Sequence, residues 1–127
     1  MGAFETRRLE MDLEFTEARD RAWGRLASDL AAFATGAAPE QVRTRTRGGT
    51  EAGFARQLAM YLCHVGFGMT LGRIGRVFHR NPSTVAHACH AMEDRREEAG
   101  FDAWCTALEE TVRAAPPPVL RLPEADQ

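Results

Sequence analysis

At 127 residues the chain has room for one domain of ordinary size plus tails. A hydrophobic fraction of 44% suffices for a core and excludes a wholly disordered chain, while the absence of any run of 18 apolar residues excludes a membrane-spanning helix. The net charge of −2 is too small to settle the kind of partner. The first stretch, MGAFETRRLEMDLE, lacks the hydrophobic region of a secretory signal, and residues 1–15 are expected to form a segment apart from the domain. Gly2 and Thr6 fit a myristoylation pattern, but one loose enough to match by chance. Thr16 and Glu17 can start a helix in which Trp23, Leu26, Ala27, Leu30 and Ala34 recur at helical spacing until Gly36 stops it. Pro39 opens a short helical turn, PEQVR. RTRTRGGTEAG, residues 43–53, then reads as a flexible basic loop without an apolar anchor.

A long helix is expected from Glu51 or Phe54 to Gly66 or Gly68, with Phe54, Leu58, Tyr61, Leu62 and Val65 as one stripe. Thr70 can cap a short helix whose Leu71, Ile74 and Phe78 face inward. Gly75 on that same face lets another helix approach closely. Asn81 is a good N-cap and Pro82 suits the first helical position of the next helix, expected over about 82–98. Its buried stripe is Val85, Ala88, Cys89 and Met92. A last helix is expected from Asp102, with Trp104, Leu108 and Val112 apolar, followed over 114–127 by a Pro-rich tail expected to be disordered. Everything periodic is helical, so the fold class is all-α.

Charge is distributed unevenly. Residues 1–40 carry five Arg against eight acids, residues 41–92 carry seven Arg against Glu51 alone, and residues 93–127 carry four Arg against nine acids. A basic middle between acidic ends is the asymmetry a polyanion site produces, although an uneven solvated surface gives it too. All 16 basic residues are Arg, which together with the many Ala and Gly suggests a GC-rich genome. Cys63, Cys89 and Cys105 are odd in number and widely spaced, so they read as reduced thiols of a cytoplasmic protein.

If Val85, Ala88, Cys89 and Met92 face the core, Ser83, Thr84 and His87 face outward together near the start of their helix. Free N–H groups and positive partial charge at that end favour an anionic backbone. A short helix, a tight turn holding Arg80 and a second helix with polar residues at its start make a helix-turn-helix, whose second helix reads base edges in the major groove. An ordinary helical pair with a polar face gives the same short pattern. A metal site fits poorly, because His87 and Cys89 point about 200° apart on a helix and neither His79 nor His90 supplies zinc spacing. GFGMTLGRIG has no following Lys and no preceding strand, so it is not a phosphate loop. EDRREE reads as a solvated face, and no nucleophile has an evident base. No catalysis, cofactor, metal or small-molecule substrate is expected.

ARQLAMYL, LGRIGRVF and RNPSTVAHACHAMEDRRE, in that order, resemble the C-terminal DNA-binding domain of the bacterial replication initiator DnaA. The likeness covers roughly residues 24 to 113. It implies a multi-helix Trp-repressor-like helix-turn-helix domain, here placed at 16–113, that binds double-stranded DNA. It further implies that Arg56 and Gln57 touch the DNA backbone and that Arg43, Arg45 and Arg47 form a basic loop reaching phosphates and the minor groove. Arg80, Ser83, Thr84, Val85, His87 and Ala88 keep the family's recognition stretch, Arg-Asp-His-(Ser/Thr)-Thr-Val-x-His-Ala. Asn81 and Pro82 replace its Asp and His, and the preceding turn is one residue shorter. Asp accepts from cytosine N4 whereas Asn suits adenine N6/N7, so DNA binding is expected with a changed target, unless Asn81 caps its helix instead.

The expected protein is therefore a nucleoid-associated regulator of transcription or replication, without the initiator's ATPase. Arg43, Arg45, Arg47, Arg56 and Gln57 would hold phosphates, and Arg80, Asn81, Ser83, Thr84 and His87 would form the recognition surface. About five arginines on phosphates would give a log K against log salt slope of roughly −4 to −5. Trp23, Leu26 and Leu30 could make a homodimer, but packing within the chain is the more natural use of that face. The rival reading is a protein-interaction adaptor that has lost base reading, working through its acidic flanks and Pro-rich tail.

Overall fold

The structure is a computed structural model that describes residues 2–43 and 49–120. Its elements are α1 (Ala3–Thr35), α2 (Pro39–Arg43), α3 (Gly49–Phe67), α4 (Leu71–Phe78), α5 (Pro82–Arg95) and α6 (Ala99–Arg113), with no strand among the described residues. Local chemistry sets most of the stops. Gly36 takes φ +81° and donates its N–H to the Ala32 carbonyl, closing α1, and Gly68 at φ +68° follows the last turn of α3. Thr70 caps α4 by accepting from the Arg73 N–H at 3.2 Å.

Three helix starts differ from the sequence expectation. α1 begins at Ala3, and Thr16 lies inside it, its hydroxyl donating to the Asp12 carbonyl at 3.0 Å. A Thr that bonds back one turn is tolerated within a helix. Residues 2–15 are nonetheless exposed, and burial starts only at Thr16 and Ala18. α3 begins at Gly49, so the expected basic loop shrinks: Arg43 belongs to α2, and the rest of the loop before Gly49 lies outside the described residues. α6 begins at Ala99 because the Glu98 carboxylate accepts from the N–H groups of Gly100 (2.9 Å) and Phe101 (2.7 Å). Asp102 sits within its first turn.

The core is built round α3. Instead of a single apolar stripe, α3 buries residues on nearly every side, including Ala55, Leu58, Ala59, Tyr61, Leu62 and Cys63. Small Ala and Cys side chains let neighbours close on the faces that the stripe of large residues leaves free. Trp23 is used within the chain, stacked on Phe67 with centroids 4.8 Å apart. Gly24 of α1 faces Val77 of α4, and Gly66 faces Val112 of α6, each so closely that a Cβ would collide. Arg73 forks onto Asp20, Nε to Oδ2 at 2.8 Å and Nη2 to Oδ1 at 2.5 Å, tying α4 to α1 through a nearly buried carboxylate.

EDRREE is exposed at every position but Arg96, as its composition suggests, yet its two arginines have fixed partners. The Arg95 guanidinium lies 4.6 Å from the Phe54 ring centroid and 4.3 Å from that of Phe101. Arg96 donates to Asp102 (2.6 Å), to the Tyr61 hydroxyl (3.1 Å) and to Glu109, while Tyr61 donates to Glu93 at 2.6 Å. This network fixes the far end of α5, which stops at Arg95 rather than near residue 98. Beyond α6 the tail is described to Leu120. Pro116, Pro117, Pro118 and Leu120 border a groove with Phe15, Ala22, Trp23, Leu26 and Phe67.

Candidate nucleic-acid interface

α4 and α5 meet through the three residues His79, Arg80 and Asn81. His79 adopts the left-handed conformation at φ 56°, and the Arg80 N–H returns to the Gly75 carbonyl at 2.9 Å. A Cβ on Gly75 would stand 2.5 Å from the Arg80 carbonyl oxygen and 3.6 Å from the Pro82 nitrogen. Gly75 is thus needed for the close approach of the turn and the start of α5. Asn81 is extended, its carbonyl accepting from Thr84 (3.0 Å) and Val85 (3.2 Å) as α5 begins. Its side chain makes no capping bond and is exposed.

The inward stripe of α5 is as expected: Val85, Ala88, Cys89 and Met92 are buried. Burial pushes the Cys89 thiol up to about 11, as suits a core residue. Ser83, Thr84 and His87 are exposed on the opposite side. Beside them opens a groove of about 900 Å³ lined by Arg56, Arg76, His79, Arg80, Asn81 and Thr84, with Gly72, Gly75 and Pro82 as its close-packed wall. Three arginines line it and no carboxylate does. Burial, and secondly the charge of Arg80, lower the Arg56 pKa from the usual arginine value, so like charges crowd here. An anion in the groove would relieve that repulsion, and the positive end of the α5 dipole favours one there.

The structure brings Arg56, Arg80, Asn81 and Thr84 to one groove and sets Ser83 and His87 on the adjoining surface of α5. Gln57, half-buried on α3, does not line it. Arg43 is turned to α1, its Nη1 2.5 Å from Asp29 Oδ1. Arg45 and Arg47 lie outside the described residues. Arg56 is only 8% exposed and donates to the carbonyls of Gln41 (2.6 Å) and Val42 (3.3 Å). Sequence reasoning missed Arg76 and His79. Arg76 lies on the outer side of α4 and His79 at its left-handed cap, both exposed. The signal for Arg76 was its place between the inward Ile74 and Phe78. Among the described residues no three His, Cys, Asp or Glu side chains group to hold a metal, and no helix is long and apolar enough to cross a membrane.

Two short helices, a three-residue turn and an exposed second-helix start beside clustered arginines define a helix-turn-helix. Residues 32–92 match the bacterial DnaA protein helix-turn-helix family. The chain is 37% identical over 67 residues to the chromosomal replication initiator protein DnaA 2 of Chlamydia caviae, which covers 53% of this chain and 14% of that protein. A crystal structure of a DNA replication initiation factor shares the fold with a TM-score of 0.69, at 23% identity, over 86% of this chain and 36% of that one. The protein carries a helix-turn-helix domain like the C-terminal domain of DnaA, and the chain spans a small part of the initiator's length.

Proposed function

We propose that this protein binds duplex DNA in a sequence-specific manner, seating the start of α5 in the major groove. Asn81, Ser83, Thr84 and His87 face the base edges, and Arg56, Arg76 and Arg80 hold the flanking phosphates. Arg43, Arg45, Arg47 and Gln57 extend the phosphate contacts on the side of the basic loop. The observation that carries this reading is the groove of three arginines, free of carboxylates, beside the exposed start of α5. With Asn81 where relatives of this kind have Asp, the preferred box differs from the initiator's own. The protein then acts as a transcriptional or replication-control regulator on the nucleoid, without hydrolysing ATP, and a homodimer would suit a two-fold symmetric site.

Selection from a randomised duplex pool at two salt concentrations tests the reading. Recovery of a motif with salt-sensitive retention supports it. Salt-sensitive retention without a motif removes the base-reading half. No retention at either salt overturns it and leaves the protein-interaction adaptor.

A further inference from the structure

A second basic pocket opens on the other side of α4. Its volume is about 230 Å³, and it is lined by Arg21, Arg25 and Ser28 of α1, Arg43 of α2, and Val77 and Phe78 of α4. Three arginines line it and no carboxylate does. Asp29 engages Arg43 from beyond the lining. Among the described residues no ion pair holds Arg21 or Arg25, and both are exposed. Ser28 is 1% exposed, and its Oγ has no hydrogen-bond partner among the described residues. A buried hydroxyl is nearly always bonded, so a lone one on the wall of an arginine pocket calls for an acceptor. Phosphate oxygens are acceptors, and guanidinium forks match their geometry.

This pocket adjoins the groove beside α5. Arg76 and His79 line that groove and also a furrow along α4, whose other walls include Val77 and Arg21. Val77 and Arg21 in turn line the second pocket. Positive charge thus passes through adjoining grooves from Arg80 by way of Arg76 and Arg21 to Arg25. The furrow also holds Asp20 and Glu17. Asp20 is taken up by the Arg73 fork. Glu17 stands about two turns of α1 before Arg25, and neither acid lines the second pocket. In helix-turn-helix complexes the first helix of the pair crosses the DNA backbone. Here that helix is α4, and the basic grooves lie on its two sides. A backbone that leaves the α5 groove over Arg76 meets the α1 arginines next.

We propose that Arg21 and Arg25, with the Ser28 hydroxyl and Arg43, seat a backbone phosphate of the duplex whose bases α5 reads. This inference rests on the DNA reading of the α4–α5 pair and extends the interface onto α1. The contact adds affinity and fixes the orientation of the domain on the duplex, and it carries no base preference.

The test compares the full chain with Arg21→Ala/Arg25→Ala, and with Arg7→Ala/Arg8→Ala as a charge-matched control near the start of α1. Each is assayed across a salt series on duplex retained from the randomised pool, with phosphate ethylation interference on the same duplex. The Arg21/Arg25 variant should keep the helical circular dichroism and the recovered motif of wild type. It should lose about tenfold in affinity and reduce the salt slope by about 1 to 2. It should also become indifferent to ethylation at phosphates that still interfere with Arg80→Ala. Ser28→Ala should weaken binding severalfold at an unchanged slope, and the Arg7/Arg8 control should change neither. An Arg21/Arg25 variant no different from that control overturns the proposal, as does one whose interfering phosphates are those of wild type. A changed motif overturns the assignment to a phosphate, and Ser28→Ala at wild-type affinity overturns the hydroxyl's part in it. Wild-type retention with no Arg21/Arg25 effect overturns this inference alone. No retention of wild type at any salt overturns the DNA reading and this inference with it.

Discussion

The Nη2 of Arg56 donates to the Gln41 carbonyl at 2.6 Å, so a guanidinium that lines the groove beside α5 also latches α2 onto α3. Its Nε reaches the Val42 carbonyl as well, at 3.3 Å. One side chain thus shapes both the groove and the approach to the basic loop. Removing it confounds binding with folding.

Arg56→Ala should cost about 2–3 kcal/mol of stability, because two charge-assisted bonds to buried or partly buried carbonyls are lost with no replacement. Arg80→Ala removes a more exposed side chain whose Nη1 donates to the Phe78 and His79 carbonyls of its own turn, each at 3.2 Å, and should cost under about 1 kcal/mol. Thermal melts distinguish the two. Arg80→Ala should keep nearly the wild-type midpoint, lose affinity for duplex and reduce the salt slope by about 0.9. An unchanged slope would remove Arg80 from the phosphate contacts.

Gly75→Ala tests the turn itself. The added Cβ would stand 2.5 Å from the Arg80 carbonyl, which belongs to the backbone and cannot swing aside. Displacing the turn should cost about 1–3 kcal/mol and tilt the start of α5. Reduced thermal stability with loss of DNA binding larger than the stability loss explains is the expected pair of results. A variant with wild-type stability would show that the turn yields freely.

Asn81→Asp addresses base choice. The Asn81 side chain makes no capping bond and is exposed, so the alternative use that competed with base contact is not taken up. Asp there should shift selection at one position from adenine towards cytosine, with discrimination of about 1–3 kcal/mol. An unchanged recovered motif would mean that residue 81 reads no base.

Much of this architecture was legible because it rests on local chemistry. Gly36 and the Asn81–Pro82 pair punctuate the chain where their backbone preferences say they should, and Thr70 does so through its side-chain bond. The Val85, Ala88, Cys89 and Met92 stripe follows from period alone. What escaped depends on distant partners. The Arg43–Asp29 pair, the Arg56 latch and the Arg95 stack on Phe54 and Phe101 each join residues that no periodicity links. Helix starts slipped where a residue favoured at caps lies inside a helix, as Thr16 does. They also slipped where Glu98 caps instead of one of the usual Ser, Thr, Asp or Asn.

Glu98 gives a pH signature to that last point. Its carboxylate accepts from the Gly100 and Phe101 N–H groups at the head of α6, and these bonds hold its pKa below the usual carboxylate range. A folded pKa below the unfolded one means that the cap's contribution is present above the unfolded value of about 4.3 and is lost as pH falls through the folded value. Glu98→Gln keeps the size and a carbonyl acceptor but not the charge. It should therefore melt a few degrees below wild type at neutral pH, and the gap should close as the pH drops below about 4. Melting curves of both proteins across that range decide the matter, and a gap independent of pH would mean that the Glu98 charge contributes nothing to the cap.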